Sequence, residues 1–212
     1  MNKRCDDRID HVESLLAQTQ CQQCDYSGCR PYAEAIVSGE ADIDRCIPGG
    51  HQVYASLANY LDRPVQPDVS NKIVEKQSDP WVAFIDPKRC VGCYKCVDIC
   101  PQDAVVGIRG TLTTVDAVHC NGCGLCLPIC PMDCINTPKS EESHANRLEQ
   151  KSIYQDRYLA KQKRIANQQS IKHSKHEFLK QTQSSDLDTK KARQAAFLAA
   201  IKRRKGHDTK NS

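Results

Sequence analysis

Twelve of the fourteen cysteines fall into three sets of four, and thiolates grouped this way are suited to holding soft metals. Two of the sets are one pattern written twice. Cys90, Cys93, Cys96 and Cys100 return thirty residues later as Cys120, Cys123, Cys126 and Cys130, and each run is followed by a proline, Pro101 or Pro131. C-x2-C-x2-C-x3-C-P is the ligand run of [4Fe–4S] clusters. Structural zinc usually takes its thiolates from two C-x2-C pairs far apart in sequence. Three thiolates at two-residue spacing instead wrap a loop around one face of a cubane. The fourth cysteine of such a run reaches across to the neighbouring cluster. The spacing therefore predicts one cluster on Cys90, Cys93, Cys96 and Cys130, and another on Cys100, Cys120, Cys123 and Cys126. The prolines remove an amide and turn the chain away from the cluster. Gly92 and Gly122 let the backbone come close to it.

The remaining set, Cys21-x2-Cys24-x4-Cys29-x16-Cys46, leaves zinc and iron–sulfur both open on spacing alone. Gly28 and Gly49-Gly50 supply loop freedom where its ligands must converge. Cys134 aligns with Ala104 across the repeat and reads as a small buried residue. Cys5 reads as a thiol outside the ligand sets. His119 precedes Cys120 and reads as exposed, the alternative being a donor to a cluster sulfur. Tyr26 and Tyr94 lie inside ligand loops, where shielding of a cluster and ordinary packing explain them equally. Asp25, Asp98, Asp103 and Asp133 could face a basic redox partner, although turn formation accounts equally for Asp103 and Asp133. No hydrolytic constellation, G-x-G-x-x-G fingerprint or phosphate loop is present, so no catalytic residue is assigned.

The elements that must position these thiols are small. With 3 Phe, 1 Trp and 7 Tyr in 212 residues, a large apolar core is excluded, and metal is the natural staple. No signal-peptide pattern opens the chain and no apolar run of 18 residues exists, so the cysteines read as reduced, cytoplasmic metal ligands rather than disulfides. Residues 1–61 read as a helical cluster domain. It begins with a helix bearing Ile9, Val12, Leu15 and Leu16 on one face, and further helices are expected over Pro31–Val37 and Val53–Leu61. Residues 62–79, with Pro64 and Pro67, read as a linker. Residues 80–138 hold the repeat, each half opening on a strand (Val82–Ile85, Leu112–Val115) and closing on another at Val105 or Ile135. The halves are expected to form a pseudo-two-fold pair sharing one core.

Charge divides the chain. Residues 1–138 carry 12 Lys and Arg against 18 Asp and Glu, a net −6, whereas residues 139–212 carry 18 against 8, a net +10. The basic tail is expected to be helical in part and otherwise disordered, with an apolar stripe at Ala195, Phe197, Leu198 and Ile201. The fold class is thus α+β, a small helical 4Fe–4S domain followed by a paired 2[4Fe–4S] domain and a basic tail. Such a tail fits solvation, an anionic membrane surface or nucleic acid. The last leaves a second functional class open, a nucleic-acid-associated protein with structural or redox-sensing clusters.

The stretches QTQCQQCDYSGCRPYAEAI (18–36) and CIPGG (46–50), followed by the duplicated run, resemble the B subunit of the Rnf electron transport complex, an ion-translocating ferredoxin:NAD oxidoreductase of bacterial membranes. The likeness covers roughly residues 9–137. It implies a third [4Fe–4S] cluster on Cys21, Cys24, Cys29 and Cys46. It also implies passage of single electrons from a soluble donor to redox partners in a membrane complex. This chain departs from the family in having mostly polar residues where an N-terminal hydrophobic anchor is usual, and Asp25 and Ser27 where the first loop usually carries glycine and proline. The resemblance therefore implies a cytoplasmic protein, peripheral on the inner face of the membrane if it assembles there.

Overall fold

The computed structural model describes residues 3–208; the side chains at 3, 4, 181–189, 192 and 198–208 lie outside the described set. Four helices occupy the N-terminal part: α1 (Lys3–Leu15), α2 (Cys29–Ser38), α3 (Gly50–Tyr60) and α4 (Pro67–Lys76). Apolar residues at helical spacing bring them together. Ile9 and Val12 of α1, Tyr32, Ala33 and Ile36 of α2, and Val53, Tyr54 and Leu57 of α3 form one core. Gly39 ends α2 in the left-handed region (φ 82°), and its amide bonds back to Ala35 and Ile36, an ending that favours glycine. Residues 62–79 contain more structure than their prolines imply. Pro67 sits in the first turn of α4, where its missing N–H costs nothing, and Ile73 joins the core.

The repeat folds into four two-residue strands and one short helix: β1 (Phe84–Ile85), α5 (Lys95–Ile99), β2 (Val105–Val106), β3 (Thr114–Val115) and β4 (Ile135–Asn136). Each strand pairs with one from the other half. β1 and β4 are antiparallel with Phe84 opposite Asn136 and Ile85 opposite Ile135. β2 and β3 place Val105 opposite Val115 and Val106 opposite Thr114. A shift of thirty residues converts one register into the other. Ala83, Ile85, Ala104, Val105, Cys134 and Ile135 form the core beneath, together with ligand-set cysteines. The architecture is α+β. The second half has only turns where the first has α5. Asp98 donates its amide to Tyr94 O at 3.2 Å, a bond that Pro128, thirty residues on, cannot make.

Two helices follow residue 143: α6 (His144–Glu149), capped by the Ser143 hydroxyl accepting from the Asn146 amide, and α7 (Lys151–Asp208). The chain divides into two units, Met1–Lys161 and Gln162–Ser212. The basic segment that reads as one tail is therefore split. Its first part packs within the first unit, burying Tyr154 and Lys161. The second unit, taken by itself, is the remainder of α7, with Ile171, Phe178, Leu179 and Phe197 exposed. Of the expected stripe, the side chains of Leu198 and Ile201 lie outside the described residues.

Candidate metal centres

The thiols of the N-terminal set are brought together by a loop that leaves α1 and enters α2. Gln18, Thr19 and Gln20 are buried there. The Gln20 carboxamide accepts the Cys29 amide at 2.8 Å and donates to Gln18 Oε1 at 3.1 Å. The Tyr32 hydroxyl donates to Asp42 O at 2.7 Å and accepts from the Arg45 amide at 3.0 Å, fixing the approach to Cys46. The amides of Gly49 and Gly50 then bond to Cys46 O. Cys21, Cys24, Cys29 and Cys46 line one cavity, walled by Leu16 and Tyr32.

The repeat encloses two more. Cys90, Cys93, Cys96 and Cys130 line a first cavity. Cys100, Cys120, Cys123 and Cys126 line a second. Matched turns lead into both. Asp86 and Asp116 accept the amides of Lys88 and Val118 on their carboxylates, and their carbonyls accept the amides of Cys90 and Cys120. Gly92 (φ 66°) is required by close approach, because a Cβ there would lie 2.3 Å from Thr111 O. At Gly122 (φ 69°) it would lie 2.8 Å from Trp81 O.

The surroundings of the two cavities differ. Asn121, between Cys120 and Cys123, is 3 % exposed. Its Nδ2 donates to Thr19 O at 3.0 Å and its Oδ1 accepts the Cys123 amide at 3.2 Å. One side chain thus links a loop of the second cavity to the loop of the N-terminal one. Arg147 of α6 donates to Asn121 O and Trp81 O at 3.2 and 2.7 Å. Lys161, 5 % exposed, donates to Cys100 O at 2.6 Å and Asp98 O at 2.9 Å and pairs with Asp103 at 3.4 Å. Gln102 O accepts Arg157 at 2.9 and 2.7 Å. The equivalents of Asn121 and Gln102 at the first cavity are Val91 and Met132, exposed by 58 % and 41 %.

Burial makes these thiols costly to ionise without a counter-charge. It pushes Cys46 up to about 12, with neighbouring Cys21 adding repulsion. Cys126 is likewise pushed to about 12 by burial and then by Cys120 and Cys100. Burial also raises Cys24, Cys29, Cys96 and Cys123. At Cys90 the amides of Thr113 and Gly92, helped by the Thr113 hydroxyl, win instead and hold the thiol below its ordinary value. Four thiolates facing one cavity are tolerable when a cationic core neutralises them, and iron supplies that charge. A single zinc ion needs all four sulfurs about 2.3 Å from one point. Among the described residues no group of three or more His, Cys, Asp or Glu converges to hold one ion. Thiols standing around a cavity fit a multi-atom cluster.

Other residues singled out by sequence fall in several places. Cys134 is buried, but it also lines the first cavity, its sulfur 3.4 Å from Cys130 Sγ. His119 faces the Asp116 carboxylate at 2.5 Å, which lowers the Asp116 pKa. Asp98 pairs with Arg109 at 3.1 Å, and Arg109 lies 4.9 Å from the Tyr94 ring centre. Tyr26 stacks 5.4 Å from Tyr32 against the N-terminal core. Cys5 is exposed. Sequence reasoning passed over Thr113, Asn121 and Lys161. Comparing the halves residue by residue exposes the first two, since Thr113 stands opposite Ala83 and Asn121 opposite Val91. Lys161 lies outside the repeat and leaves no such signal.

Fold and cysteine sets together define an iron–sulfur protein of the dicluster type. Residues 83–137 match the family "4Fe-4S dicluster domain", and residues 16–48 match "Putative Fe-S cluster". The chain is 43% identical over 107 residues to the B subunit of an ion-translocating oxidoreductase complex from Pasteurella multocida, covering 50% of this chain and 52% of the relative. The corresponding protein of an Azoarcus species is 45% identical over 110 residues, 52% and 59% of the two chains. That of Alkalilimnicola ehrlichii is 46% identical over 106 residues, 50% and 56%. Over this shared part the chain is similar to the B subunit of the ion-translocating oxidoreductase complex, and the likeness read from its sequence is borne out. The chain spans about half the length of the curated relatives it matches. Among the described residues no helix is long and apolar enough to cross a membrane.

Proposed function

We propose that the chain is an electron-transfer subunit with three [4Fe–4S] clusters, passing single electrons between a soluble carrier and the redox partners of a membrane complex. The observation that carries this reading is the N-terminal cavity. Its ligand spacing left zinc open, yet its four thiols line one cavity as the four of the second dicluster cavity do, and as four of the five cysteines at the first do. Like cavities with like donors argue for like occupants. The assigned sets are Cys21, Cys24, Cys29 and Cys46; Cys90, Cys93, Cys96 and Cys130; and Cys100, Cys120, Cys123 and Cys126. Interconverting strand registers support a pseudo-two-fold relation between the last two.

When bound, each cluster accepts or releases one electron at a time. The chain's own residues hold, hydrogen-bond and enclose the sulfurs. The Asn121 link to Thr19 supports a spatial order in which the second cavity lies between the N-terminal and the first, although the first precedes the second in sequence. The exposed Val91 and Met132 leave the first cavity as the end open to an outside carrier. Partnership with the other subunits of a complex is proposed from the names of the relatives. Iron and acid-labile sulfide content, with EPR of anaerobically prepared reduced protein, tests the reading. Twelve irons are expected, and Cys46→Ser should lose four while the dicluster signals persist. A colourless protein loaded with zinc, or a Cys46→Ser variant retaining all twelve irons, overturns it.

A further inference from the structure

The backbone treats the two dicluster cavities alike, but two side chains do not. At the second cavity the Ala83 amide donates to Cys120 Sγ at 3.4 Å. At the first, the amide thirty residues on, that of Thr113, lies close enough to Cys90 to hold its thiol below the ordinary value. Thr113 adds a hydroxyl, 6 % exposed as a residue, whose Oγ1 lies 3.6 Å from Cys90 Sγ and 3.7 Å from Cys96 Sγ. Nearly equal distances let one O–H be shared between the two sulfurs. Cys134 repeats the theme. It stands where the first half has Ala104, and its buried sulfur is 3.4 Å from Cys130 Sγ. Once Cys130 ligates iron as a thiolate, only the Cys134 S–H can donate in that pair. Three of the four first-cavity thiols therefore have a side-chain donor, from residues whose counterparts are both alanine.

We infer that Thr113 and Cys134 are positioning residues that raise the reduction potential of the first dicluster site by donating hydrogen bonds to its ligand sulfurs. The inference rests on the ligand sets proposed above. Adding one electron increases the negative charge on the sulfurs, while no bond forms or breaks and no atom moves. Donors aimed at those sulfurs stabilise the reduced state more than the oxidised one. A carbon-bound methyl at position 83 or 104 offers no such donor. Cations act on carbonyls at both sites, Arg157 and Lys161 on those of Gln102 and Cys100 and Arg89 and Arg109 on those of Met132 and Cys93, so the side-chain donors to ligand sulfurs are what set the first site apart.

The test is an EPR-monitored redox titration of the full chain, with dithionite as electron source and paramagnetic NMR of the cysteine methylenes assigning each site. Thr113→Val should shift the first-site equilibrium about tenfold toward the oxidised form, which is about 59 mV for a one-electron couple. Thr113→Ser, which keeps the hydroxyl, should restore it. Cys134→Ala should shift it in the same direction by a smaller factor, about threefold, because S–H is the weaker donor. Ala83→Thr should move the second site the opposite way, and it keeps the test alive should Thr113→Val assemble poorly. An unchanged first-site potential in Thr113→Val, or an equal shift in Thr113→Ser, overturns the inference. So does loss of four irons from Cys134→Ala, which would make Cys134 a ligand. Fewer than twelve irons in the unmodified chain sinks the three-cluster reading instead, and the dicluster titration still decides this one.

Discussion

The two halves of the dicluster domain share their strand registers, aspartate turns and cysteine spacing, yet their cavities sit in different surroundings. The second is enclosed by the rest of the chain: Asn121 meets the N-terminal loop, Arg147 holds Asn121 and Trp81, and Lys161 caps the carbonyls at Cys100. The first keeps Val91 and Met132 in solvent and carries its donors inside, at Thr113 and Cys134. Duplication supplied two copies of one ligand loop. Differences between the copies place the second beside the N-terminal loop and leave the first with exposed neighbours. What distinguishes them is outside the ligand motif, in residues such as Asn121 and Thr113 that no ligand pattern contains.

The comparison can be broken most severely through the crossed fourth ligands. Cys100→Ser is expected to abolish the same EPR signal as Cys120→Ser and to spare that lost in Cys90→Ser; grouping of Cys100 with Cys90 would undo the assignment. Gly92→Ala should come next, since its Cβ meets Thr111 backbone from three atoms at 2.3 to 2.9 Å. We expect a loss of about 3 kcal/mol or more in unfolding free energy. Gly122→Ala should lose less, because its Cβ meets a single backbone atom, Trp81 O at 2.8 Å, beside the Arg147 side chain. Equal losses would show that the two loops are held alike after all.

Lys161→Met removes the buried ammonium and leaves carbonyls at Asp98 and Cys100 without it. A cost of about 2–3 kcal/mol is expected for these charge-assisted bonds, read by chemical denaturation, with iron release from the second site quickened relative to the first. Asn121→Val copies the first half into the second. It should cost about 1–2 kcal/mol through the lost bonds to Thr19 O and the Cys123 amide. Hydrogen exchange should then rise in the loop over residues 17–24, and protection unchanged there would remove Asn121 as the link.

Much of this was legible beforehand. Cysteine spacing carried the donor sets, because a cubane imposes its geometry on a short loop with little help from the rest of the fold. Apolar periodicity likewise located α1, α2 and α3 around Ile9, Ile36 and Leu57. Residues 62–79 were less legible: Pro64 and Pro67 read as linker signals, whereas Pro67 opens α4 and Ile73 buries itself in the core. The basic tail was opaque for a different reason. Its composition describes a solvated helix, and only packing reveals that Tyr154 and Lys161 belong to the first unit.

Sequence by itself determined which atoms can grip metal and that the grip is duplicated, since ligand chemistry is local and short-ranged. Only tertiary structure decided which cavity is enclosed and which thiols receive hydrogen bonds from distant side chains. Those relations join residues as far as 102 positions apart, as Thr19 and Asn121 are. Such pairs are set by how helices and strands pack, and no local spacing encodes that.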